Sequence, residues 1–199
     1  MDELDLIDWK RRVFALYAGV RAAADPEEAW RAWCLTRDEL FRSHPQSPLP
    51  QEQRTAFTGL PYFDYDPELR VLAEVEPAGD ARILITGSGE EPTAFRRFAT
   101  AVFDLAGEPR RLALYWLDCY GGGVFLPFGD STSGSETYGA GRYLLDTVKG
   151  ADLGEQDGRL VLDFNFAYNP SCSYDPRWAC PLAPAENRLP VAIRGGERY

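Results

Sequence analysis

The chain has 199 residues, 45% of them hydrophobic, and carries a formal net charge of −10 at pH 7. This length allows one domain with a sizeable core, and the 13% of aromatic residues favours half-buried sheet surfaces over a helical bundle. The acidic balance, without a dense cluster of Lys and Arg, excludes a nucleic-acid-binding face. The acidic N-terminal sequence and the lack of an apolar run near the ~20 residues of a membrane span predict a cytoplasmic protein that contacts no membrane.

Two amphipathic helices are predicted at the start of the chain. Apolar residues recur at helical spacing over positions 5–24, which gives one apolar stripe. Asp25 and Pro26 end this first helix. The same two residues are typical of a helix start, with Asp25 as the N-cap and Pro26 in the first turn. They therefore predict a second helix over positions 26–43.

A proline-rich connection follows the two helices. Three prolines between positions 45 and 50 exclude both a helix and a ladder strand there. A short helical turn is predicted at positions 51–57. Residues 1–65 are therefore interpreted as a helical hairpin and its connection, and residues 66–199 as the rest of the same domain.

From position 66 onward the sequence changes to the period of two that is typical of strands, with turn signals about every 8–12 residues. Residues 93–105 also alternate, and the other strand candidates are residues 70–76, 82–86, 111–119, 124–128, 141–145, 160–166 and 189–194. The predicted fold is mainly β, of the α+β kind. It is an antiparallel curled sheet or barrel of about seven or eight strands, capped by the N-terminal helical hairpin. No helix longer than about three turns is expected after residue 68.

Three segments of unusual composition stand out from the rest of the chain. They are FRSHPQSPLP from Phe41, GGGVFLPFGDSTSGSETYGAGRYL from Gly121 and LDFNFAYNPSCSYDPRWACPLAPAENRLPVAIRGGE from Leu162. Over residues 33–197 the chain resembles the bacterial and archaeal family catalogued as domain of unknown function 1684. The resemblance implies no activity. It indicates that the family concentrates its special residues in the motif-rich segment 121–190.

A first cluster of candidate residues lies in the Gly-rich part of this segment. Its members are Asp130, Thr132, Glu136, Tyr138 and Arg142. The carboxylates, hydroxyls and guanidinium are able to supply an acid, a base and an anion clamp. The alternative is structural, with an Asx turn at Asp130 and an ion pair between Glu136 and Arg142. The glycines lack the G-x-G-x-x-G spacing between a strand and a helix, so a dinucleotide or P-loop site is not indicated.

A second polar cluster accompanies the predicted strand 160–166. Its members are Asp163, Asn165, Tyr168 and Asn169. Asp163 and Asn165 would point to the same side of a strand, because side chains alternate. Such a face must be solvated or form a polar pocket, since burial without a partner costs a few kcal/mol. Both an outer solvated face and the lumen of a barrel meet this requirement.

The cysteines and the single histidine leave several interpretations open. Cys172 and Cys180 lack the spacing of zinc sites. They are two packed thiols, a disulfide in an oxidising compartment, or part of a metal site that includes His44. We expect them to lie near each other, because Asp175 and Pro176 are a turn signal between them. His44 is either a loop residue bonded to the backbone or an acid/base group.

These patterns predict a small-molecule-binding protein with a polar pocket, either a binding protein or a hydrolytic or acid/base enzyme. The alternative is a non-catalytic binding or structural module whose motif only stabilises the fold. The predicted catalytic residues are Asp130, Glu136, Arg142 and His44. The predicted ligand-binding residues are Thr132, Tyr138, Tyr143, Asp163, Asn165, Tyr168, Asn169 and Asn187. No metal site is predicted, and the sequence indicates neither a cofactor nor an oligomeric state.

One hypothesis joins the two clusters in space. If strand 142–145 pairs with residues 160–165 in a hairpin, Arg142 lies close to Asp163. Asp130, Glu136, Arg142 and Asp163 would then converge on one cavity, and the surplus acid would have a raised pKa. The alternative is a closed ion-pair network without a cavity beside it.

Overall fold

The computed structural model describes residues 3–89 and 91–199. Its helices are α1, Glu3–Ala22; α2, Pro26–Ser43; and the one-turn helix α3, Gln51–Arg54. Asp25 caps α2 as predicted, because its carboxylate accepts the backbone N–H groups of Glu27 at 2.9 Å and Glu28 at 3.3 Å. All three predicted helical segments are therefore present.

The remainder of the described chain forms an antiparallel sheet. Its strands are β1, Arg70–Ile85; β2, Thr93–Leu105; β3, Glu108–Leu117; β4, Val124–Phe128; β5, Arg142–Asp146; β6, Glu155–Gln156; and β7, Arg159–Asp163. They lie in the order β5-β4-β3-β2-β1-β7-β6. The sheet curls into a half-barrel and carries the N-terminal helical pair, which confirms the predicted fold class. Among the described residues after position 68, each helix is a single three-residue 3-10 turn, also as predicted.

The two strands predicted between residues 70 and 86 are one strand, β1. The turn expected between them is a β-bulge, because Pro77 pairs with Ala99 and Ala81 pairs with Arg97. β1 therefore advances from position 77 to 81 while β2 advances only from 99 to 97. A bulge tolerates proline, since the hydrogen-bond ladder is already interrupted there.

The predicted hairpin that would join Arg142 to Asp163 is wrong. β5 pairs with β4, whereas β7 pairs with β1 and β6. The physical reason is a two-residue turn that pairs β7 with the strand directly before it in sequence. Asp157 and Gly158, with φ angles of 53° and 72°, form the two-residue turn between β6 and β7. Arg142 and Asp163 consequently lie on strands that are far apart in the sheet order.

Residues 189–194, predicted as a strand, form an irregular segment instead. The N–H of Ile193 donates to Asp130 Oδ1 at 3.3 Å. The carbonyl of Ile193 accepts from Arg142 Nη2 at 2.9 Å. Two side chains thus take the place of a neighbouring strand, and the backbone groups of Ile193 are satisfied without a ladder.

The strand predicted to reach residue 166 ends at Asp163. The Asp163 carboxylate accepts the N–H of Asn165 at 3.0 Å and begins a 3-10 turn over Phe164–Phe166. Asn165 therefore does not alternate with Asp163 along a strand. It turns back and donates its side-chain amide to the same carboxylate oxygen at 2.8 Å.

Aromatic packing fixes the helical pair on the rest of the fold. Trp33 of α2 is completely buried, and its ring centre lies 5.5 Å from that of Tyr62 and 5.4 Å from that of Phe166. Tyr17 of α1 belongs to the same buried cluster. The helices therefore close over the chain that follows β7, and a cavity lies between them and this part of the chain. In the described part of the chain, no helix is both long and apolar enough to cross a membrane.

Candidate functional site

Arg142 is buried and holds a distant part of the chain. Its side chain is 1% exposed, and Nη2 donates to Asp130 Oδ2 at 3.0 Å and to the Ile193 carbonyl at 2.9 Å. Nη1 donates to the backbone carbonyls of Gly195 and Glu197. Nε is buried and has no partner among the described residues. The guanidinium therefore clamps residues 193–197 against β5.

Asp130 completes this clamp from the Gly-rich loop. Its Oδ1 accepts the N–H of Thr132 at 2.8 Å and the Thr132 hydroxyl at 2.5 Å. Thr132 is fully buried, and its hydroxyl also contacts that of Thr137 at 2.9 Å. This is the Asx turn that the structural alternative predicts. Removal of one partner of a buried ion pair leaves an unpaired buried charge and costs about 3–5 kcal/mol. We therefore expect the loss of either Asp130 or Arg142 alone to destabilise the fold.

Glu136 does not pair with Arg142, and the predicted ion pair between them is wrong. Its two carboxylate oxygens accept from Arg194 Nε at 2.9 Å and Arg194 Nη2 at 2.8 Å. The hydrogen-bonded Arg194 guanidinium lowers the pKa of the Glu136 carboxyl below its ordinary value. Asp130 pairs with Arg142 instead, because it follows closely after β4, whose last residue Phe128 lies opposite Arg142. Glu136 lies farther along the loop.

Asn165 and Asn187 are completely buried and bind backbone groups. Asn187 Oδ1 accepts the N–H of Ala113 at 2.8 Å, while its Nδ2 donates to the Ala113 carbonyl at 3.0 Å. Asn165 makes the equivalent pair of bonds to Asp66, at 2.9 Å and 2.7 Å. Each amide thus imitates the backbone of a neighbouring strand. The contacts favour a structural role for these two predicted ligand-binding residues.

His44 is 4% exposed and lies at the C-terminal end of α2. Its Nδ1 accepts the N–H of Gln46 at 3.0 Å, so Nε2 carries the proton that it donates to Asp8 Oδ2, at 3.2 Å. The ring also packs edge-on against Trp9, with 5.2 Å between ring centres. These contacts are those of a loop histidine bonded to the backbone, and they tie α1 to the end of α2.

The four acidic and basic residues expected to converge do not share one cavity. Asp130 contacts Arg142, Glu136 contacts Arg194, and Asp163 lies at the end of β7. The cause is the strand order, which separates β5 from β7. The geometry at Arg142 is the closed ion-pair network, while Asp163 faces a cavity of its own.

We call this cavity the Asp163 cleft. It has a volume of about 420 Å³ and lies between the start of α2, β6 and β7, with Arg21, Arg70, Glu155 and Gln156 among its polar lining residues. Asp163 is 2% exposed, and Arg70 Nε lies 4.0 Å from its Oδ2. Burial raises the pKa of Asp163 to about 6, against the opposing effect of the hydrogen bonds from Asn165. A carboxyl with this pKa titrates near the pH at which general acids and bases work.

We call a second cavity the Arg37 pocket. It has a volume of about 90 Å³ and lies between α1, α2, β5 and the segment 168–174. Its lining includes Tyr17, Arg37, Phe41, Tyr143, Tyr168, Asn169 and Tyr174. Tyr143, Tyr168 and Asn169 are three of the predicted ligand-binding residues. The fold therefore brings part of the predicted set to a pocket that the two helices complete.

Arg37 is fixed in this pocket by an ion pair and by aromatic rings. Its Nη2 donates to Glu197 Oε2 at 2.7 Å, and its Nε donates to the Tyr62 hydroxyl at 3.3 Å. The guanidinium carbon lies 4.8 Å from the ring centre of Trp33 and 5.1 Å from that of Tyr168. Nε and Nη2 are engaged in this way, which leaves Nη1 for another acceptor.

Glu197 is completely buried and joins the elements around the pocket. Its Oε2 accepts from Arg37 and from the N–H of Asn169 at 3.0 Å, and its Oε1 accepts the Tyr174 hydroxyl. Burial raises the pKa of the Glu197 carboxyl, and Arg37 opposes this rise. The carboxylate therefore neutralises the arginine and fixes the backbone that carries Asn169.

Two polar atoms of the Arg37 pocket are buried without a partner among the described residues. They are the hydroxyl of Tyr17 and Oδ1 of Asn169, on residues that are 2% and 4% exposed. The indole N–H of Trp33 lies close enough to the Tyr17 hydroxyl to lower its pKa, but the contact does not meet the geometry of a hydrogen bond, so neither group has a partner among the described residues. Burial raises the pKa of Tyr17 to about 12. Unpaired buried polar groups cost about 1–3 kcal/mol each, so such atoms usually have a water or a ligand as partner.

No sequence pattern predicted Tyr17, Arg37, Tyr174 or Glu197 as site residues. One signal was available in the first helical pair, because Arg37 lies on the apolar face of α2 beside Trp33 and Phe41. A charged residue on a buried helix face needs a partner. That partner is Glu197, which lies 160 residues away in sequence, so periodicity was unable to reveal it.

The two cysteines of the motif lie next to each other, as predicted. The N–H of Cys172 donates to Cys180 Sγ at 3.3 Å, and all four cysteines of the chain are free thiols. Tyr138, a predicted ligand-binding residue, has its hydroxyl 3.9 Å from Cys172 Sγ. Within the described ranges, no group of three or more His, Cys, Asp or Glu side chains is arranged to hold a metal ion.

The fold and the Arg37 pocket define a class of protein: a curled antiparallel sheet whose N-terminal helices enclose an arginine and tyrosine pocket. The chain belongs to the family described as "Protein of unknown function (DUF1684)", whose model matches residues 55–198. The matched range contains the sheet side of the pocket, with Tyr143, Tyr168, Asn169 and Glu197. Tyr17 and Arg37, on the two helices, lie before it.

The chain is similar over most of its length to a solved structure from an archaeon. This is the solution NMR structure of an uncharacterized protein of Haloarcula marismortui, which is 35% identical to this chain. The likeness covers 87% of this chain and 94% of that chain, with a TM-score of 0.60. No curated protein matches the chain.

Proposed function

We propose that the protein binds a small carboxylate in the Arg37 pocket. The observation that carries this proposal is the Tyr17 hydroxyl, which is buried beside the Arg37 guanidinium without a hydrogen-bond partner in the described chain. A single carboxylate can accept from Tyr17 and from Arg37 Nη1, and hydrogen bonds to charged groups are the stronger ones. The ligand thus supplies an acceptor for the Tyr17 hydroxyl and for Arg37 Nη1.

Asn169 narrows the class of ligand. Its Oδ1 is a buried acceptor, so it is suited to a hydroxyl or amino group of the ligand. The volume of about 90 Å³ corresponds to roughly three water molecules, so the polar end of the ligand is small. The rings of Phe41 and Tyr168 provide an apolar wall for a short carbon chain. A small hydroxy or amino carboxylate meets these requirements.

A single hydroxyl tests the proposal. Tyr17→Phe removes the unpartnered group and keeps the ring, so the free variant should be as stable as the wild type or more stable. Its affinity for the ligand should fall about tenfold or more, since a hydrogen bond to a charged group contributes about 1.5–3 kcal/mol. Urea denaturation measures the stability of the free variant. Native mass spectrometry of the purified protein detects a bound ligand, and calorimetric titration with lactate, malate and serine measures the affinity.

Tyr115→Phe is the matched control for this experiment. Its hydroxyl donates to Glu186 Oε1 at 2.7 Å, outside the Arg37 pocket. The control variant should lose some stability and keep its affinity. The proposal is wrong if Tyr17→Phe binds as tightly as the wild type. It is also wrong if no carboxylate binds and the wild-type pocket holds only water.

Acid/base chemistry in the Asp163 cleft is a second candidate function. The specific observation is a carboxyl that is 2% exposed, has a pKa raised to about 6 and lines a cavity of about 420 Å³. Shifted pKa values in clefts are typical of functional sites, although ion-pair networks also produce them. A screen with hydrolysable substrates should detect turnover whose pH profile has an apparent pKa near 6. Asp163→Asn should abolish this turnover. Unchanged turnover in the variant would remove this candidate.

For Asp130, Arg142 and Asn187 we propose a structural role. Apart from Arg142 Nε, their side-chain polar atoms bind groups of the protein itself, which supports the alternative that this part of the motif stabilises the fold. A catalytic role for His44 and Glu136 stays a prediction without a cavity to support it. A cytoplasmic location, which would keep the four cysteines reduced, also stays a prediction.

A further inference from the structure

Cys172 and Cys180 are fixed face to face by backbone contacts. Cys172 lies in the 3-10 turn Ser171–Ser173, and its N–H reaches Cys180 Sγ at 3.3 Å. Cys180 is held to the loop after β1, because its N–H donates to Ser88 Oγ at 3.0 Å and its carbonyl accepts the N–H of Ser88 at 2.9 Å. The Cys180 sulfur thus lies within hydrogen-bond distance of the Cys172 backbone, which is the kind of proximity that a disulfide between the two residues requires.

The environments of the two sulfurs differ in a way that assigns their roles. Cys172 is partly exposed, whereas Cys180 is 7% exposed. The Cys180 thiol and then other donors, with the Tyr138 hydroxyl among them, stabilise a thiolate at Cys172, and the pKa of Cys172 is lowered to about 6. The same contact raises the pKa of Cys180, which acts as the donor. Cys172 is thus the accessible nucleophile and Cys180 the protected partner.

We propose that Cys172 and Cys180 form a redox-active thiol pair, in which a hydroperoxide oxidises Cys172 and Cys180 converts the product to an intramolecular disulfide. The Cys172 thiolate attacks the terminal peroxide oxygen, the O–O bond breaks, and the alkoxide leaves and takes up a proton as an alcohol. Cys180 then attacks the sulfenic acid sulfur. The S–S bond forms, the S–O bond breaks, and the departing oxygen takes the Cys180 proton and leaves as water. A dithiol reductant then returns Cys172 and Cys180 to thiols by thiol–disulfide exchange and is itself oxidised to a disulfide.

The other two cysteines provide internal references. Burial raises the pKa of Cys34 to about 12, so this thiol should react slowly. Cys119 is exposed and should be alkylated readily, and it is therefore replaced by serine in the background used for the test. In that background we expect Cys172 to react with iodoacetamide at least about tenfold faster than Cys34.

The test is oxidation of the folded Cys119→Ser protein with a slight excess of hydrogen peroxide. Alkylation under denaturing conditions and peptide mass mapping should find Cys172 joined to Cys180, a loss of two hydrogen masses, and recovery with dithiothreitol. In Cys180→Ser the sulfenic acid should accumulate and react with dimedone at Cys172. Cys172→Ser should stop disulfide formation. Circular dichroism checks that each variant is folded.

Three outcomes would overturn the proposal. The first is a folded protein in which peroxide oxidises Cys34 as fast as Cys172. The second is an absence of the disulfide between Cys172 and Cys180 in the wild type, which needs no variant to fold. The third is a folded Cys180→Ser protein in which dimedone does not label Cys172.

Discussion

Arg37 and Arg142 show how two buried arginines differ in what remains available to a ligand. Arg142 donates to three backbone carbonyls and to Asp130, so its Nη groups are occupied by the protein. Arg37 is fixed by one carboxylate and by aromatic rings, and it lines a cavity. Burial alone therefore does not distinguish a structural arginine from a binding one. The hydrogen-bond partners of each guanidinium nitrogen distinguish the two kinds of arginine.

The first residue-scale prediction concerns this difference. Arg142→Ala should lower the free energy of unfolding by about 3 kcal/mol or more, because it leaves Asp130 buried without its partner. Arg194→Ala is the control, because its pair with Glu136 lies at the surface, where ion pairs contribute little. Urea denaturation followed by circular dichroism measures both. Equal midpoints for the two variants would show that the clamp at Arg142 does not stabilise the fold.

A second prediction at this scale concerns the pH dependence of stability. The pKa of Asp163 is raised to about 6 in the folded protein, whereas an unfolded aspartate has a pKa of about 3.9. Between these values the folded chain holds a proton that the unfolded chain has released, so the free energy of unfolding falls as pH rises. The stabilisation is complete below about pH 4 and is lost above about pH 6.

Asp163→Asn does not titrate and serves as the reference. Across the same window the wild type should lose on the order of 2 kcal/mol relative to this variant. Chemical denaturation at a series of pH values measures the difference, and titrations shared by both proteins cancel. A difference that stays constant from pH 4 to pH 6 would mean that the Asp163 carboxyl titrates as it does in water.

At the scale of elements, local signals decide where structure begins and long-range contacts decide what it pairs with. Asp25 and Pro26 begin α2 through contacts within four residues. Asp157 and Gly158 join β6 to β7 in the same local way. The edge strand β5, by contrast, pairs with β4 and makes an isolated bridge between Tyr143 and Tyr168. That bridge brings the segment 168–174 to the pocket.

The prediction at this scale concerns the cap of α2. Asp25→Ala removes the acceptor of the Glu27 and Glu28 N–H groups and should cost about 1 kcal/mol of stability. Asp25→Asn keeps an acceptor and should change stability by much less. Thermal unfolding of both variants gives the comparison. If alanine and asparagine have equal effects, the side-chain hydrogen bonds do not stabilise the helix start.

For the whole molecule, residues 193–199 act as a strap that serves both buried arginines. Arg142 binds the carbonyls of Ile193, Gly195 and Glu197, while the Glu197 side chain pairs with Arg37. The strap therefore joins β5 to α2, two elements that lie far apart in the sequence. Glu197 of the strap also accepts the N–H of Asn169, which fixes the segment 168–174 that lines the Arg37 pocket.

The prediction at this scale is that removal of residues 193–199 unfolds the protein. Each buried charge left without its partner costs about 3–5 kcal/mol, and the total stability of a domain is only about 5–15 kcal/mol. Removal of Tyr199 alone should be tolerated, because its side chain is 69% exposed. Circular dichroism and amide dispersion in NMR spectra distinguish the two results. A folded truncated protein would contradict the role given to the strap.

The sequence by itself determined the features that depend on neighbouring residues. The start of α2 and the limits of β4 were predicted correctly, as was the mainly β fold class, because caps, turn residues and side-chain alternation act over a few positions. The proximity of Cys172 to Cys180 was also predictable, since a proline turn separates them. The Asx turn at Asp130 was one of two alternatives, and its contacts involve the next few residues.

Only the tertiary structure decided which distant groups are partners. Arg142 selects Asp130 and not Glu136, because the loop between them turns Glu136 toward Arg194. The Arg37 pocket depends on a pair with Glu197 that spans 160 residues, and on Tyr17 from another helix. Hydrophobic periodicity shows that a face is buried but carries no information about the element that covers it. The Arg37 pocket forms where the two helices cover the sheet, so its residues are identified only from the tertiary structure.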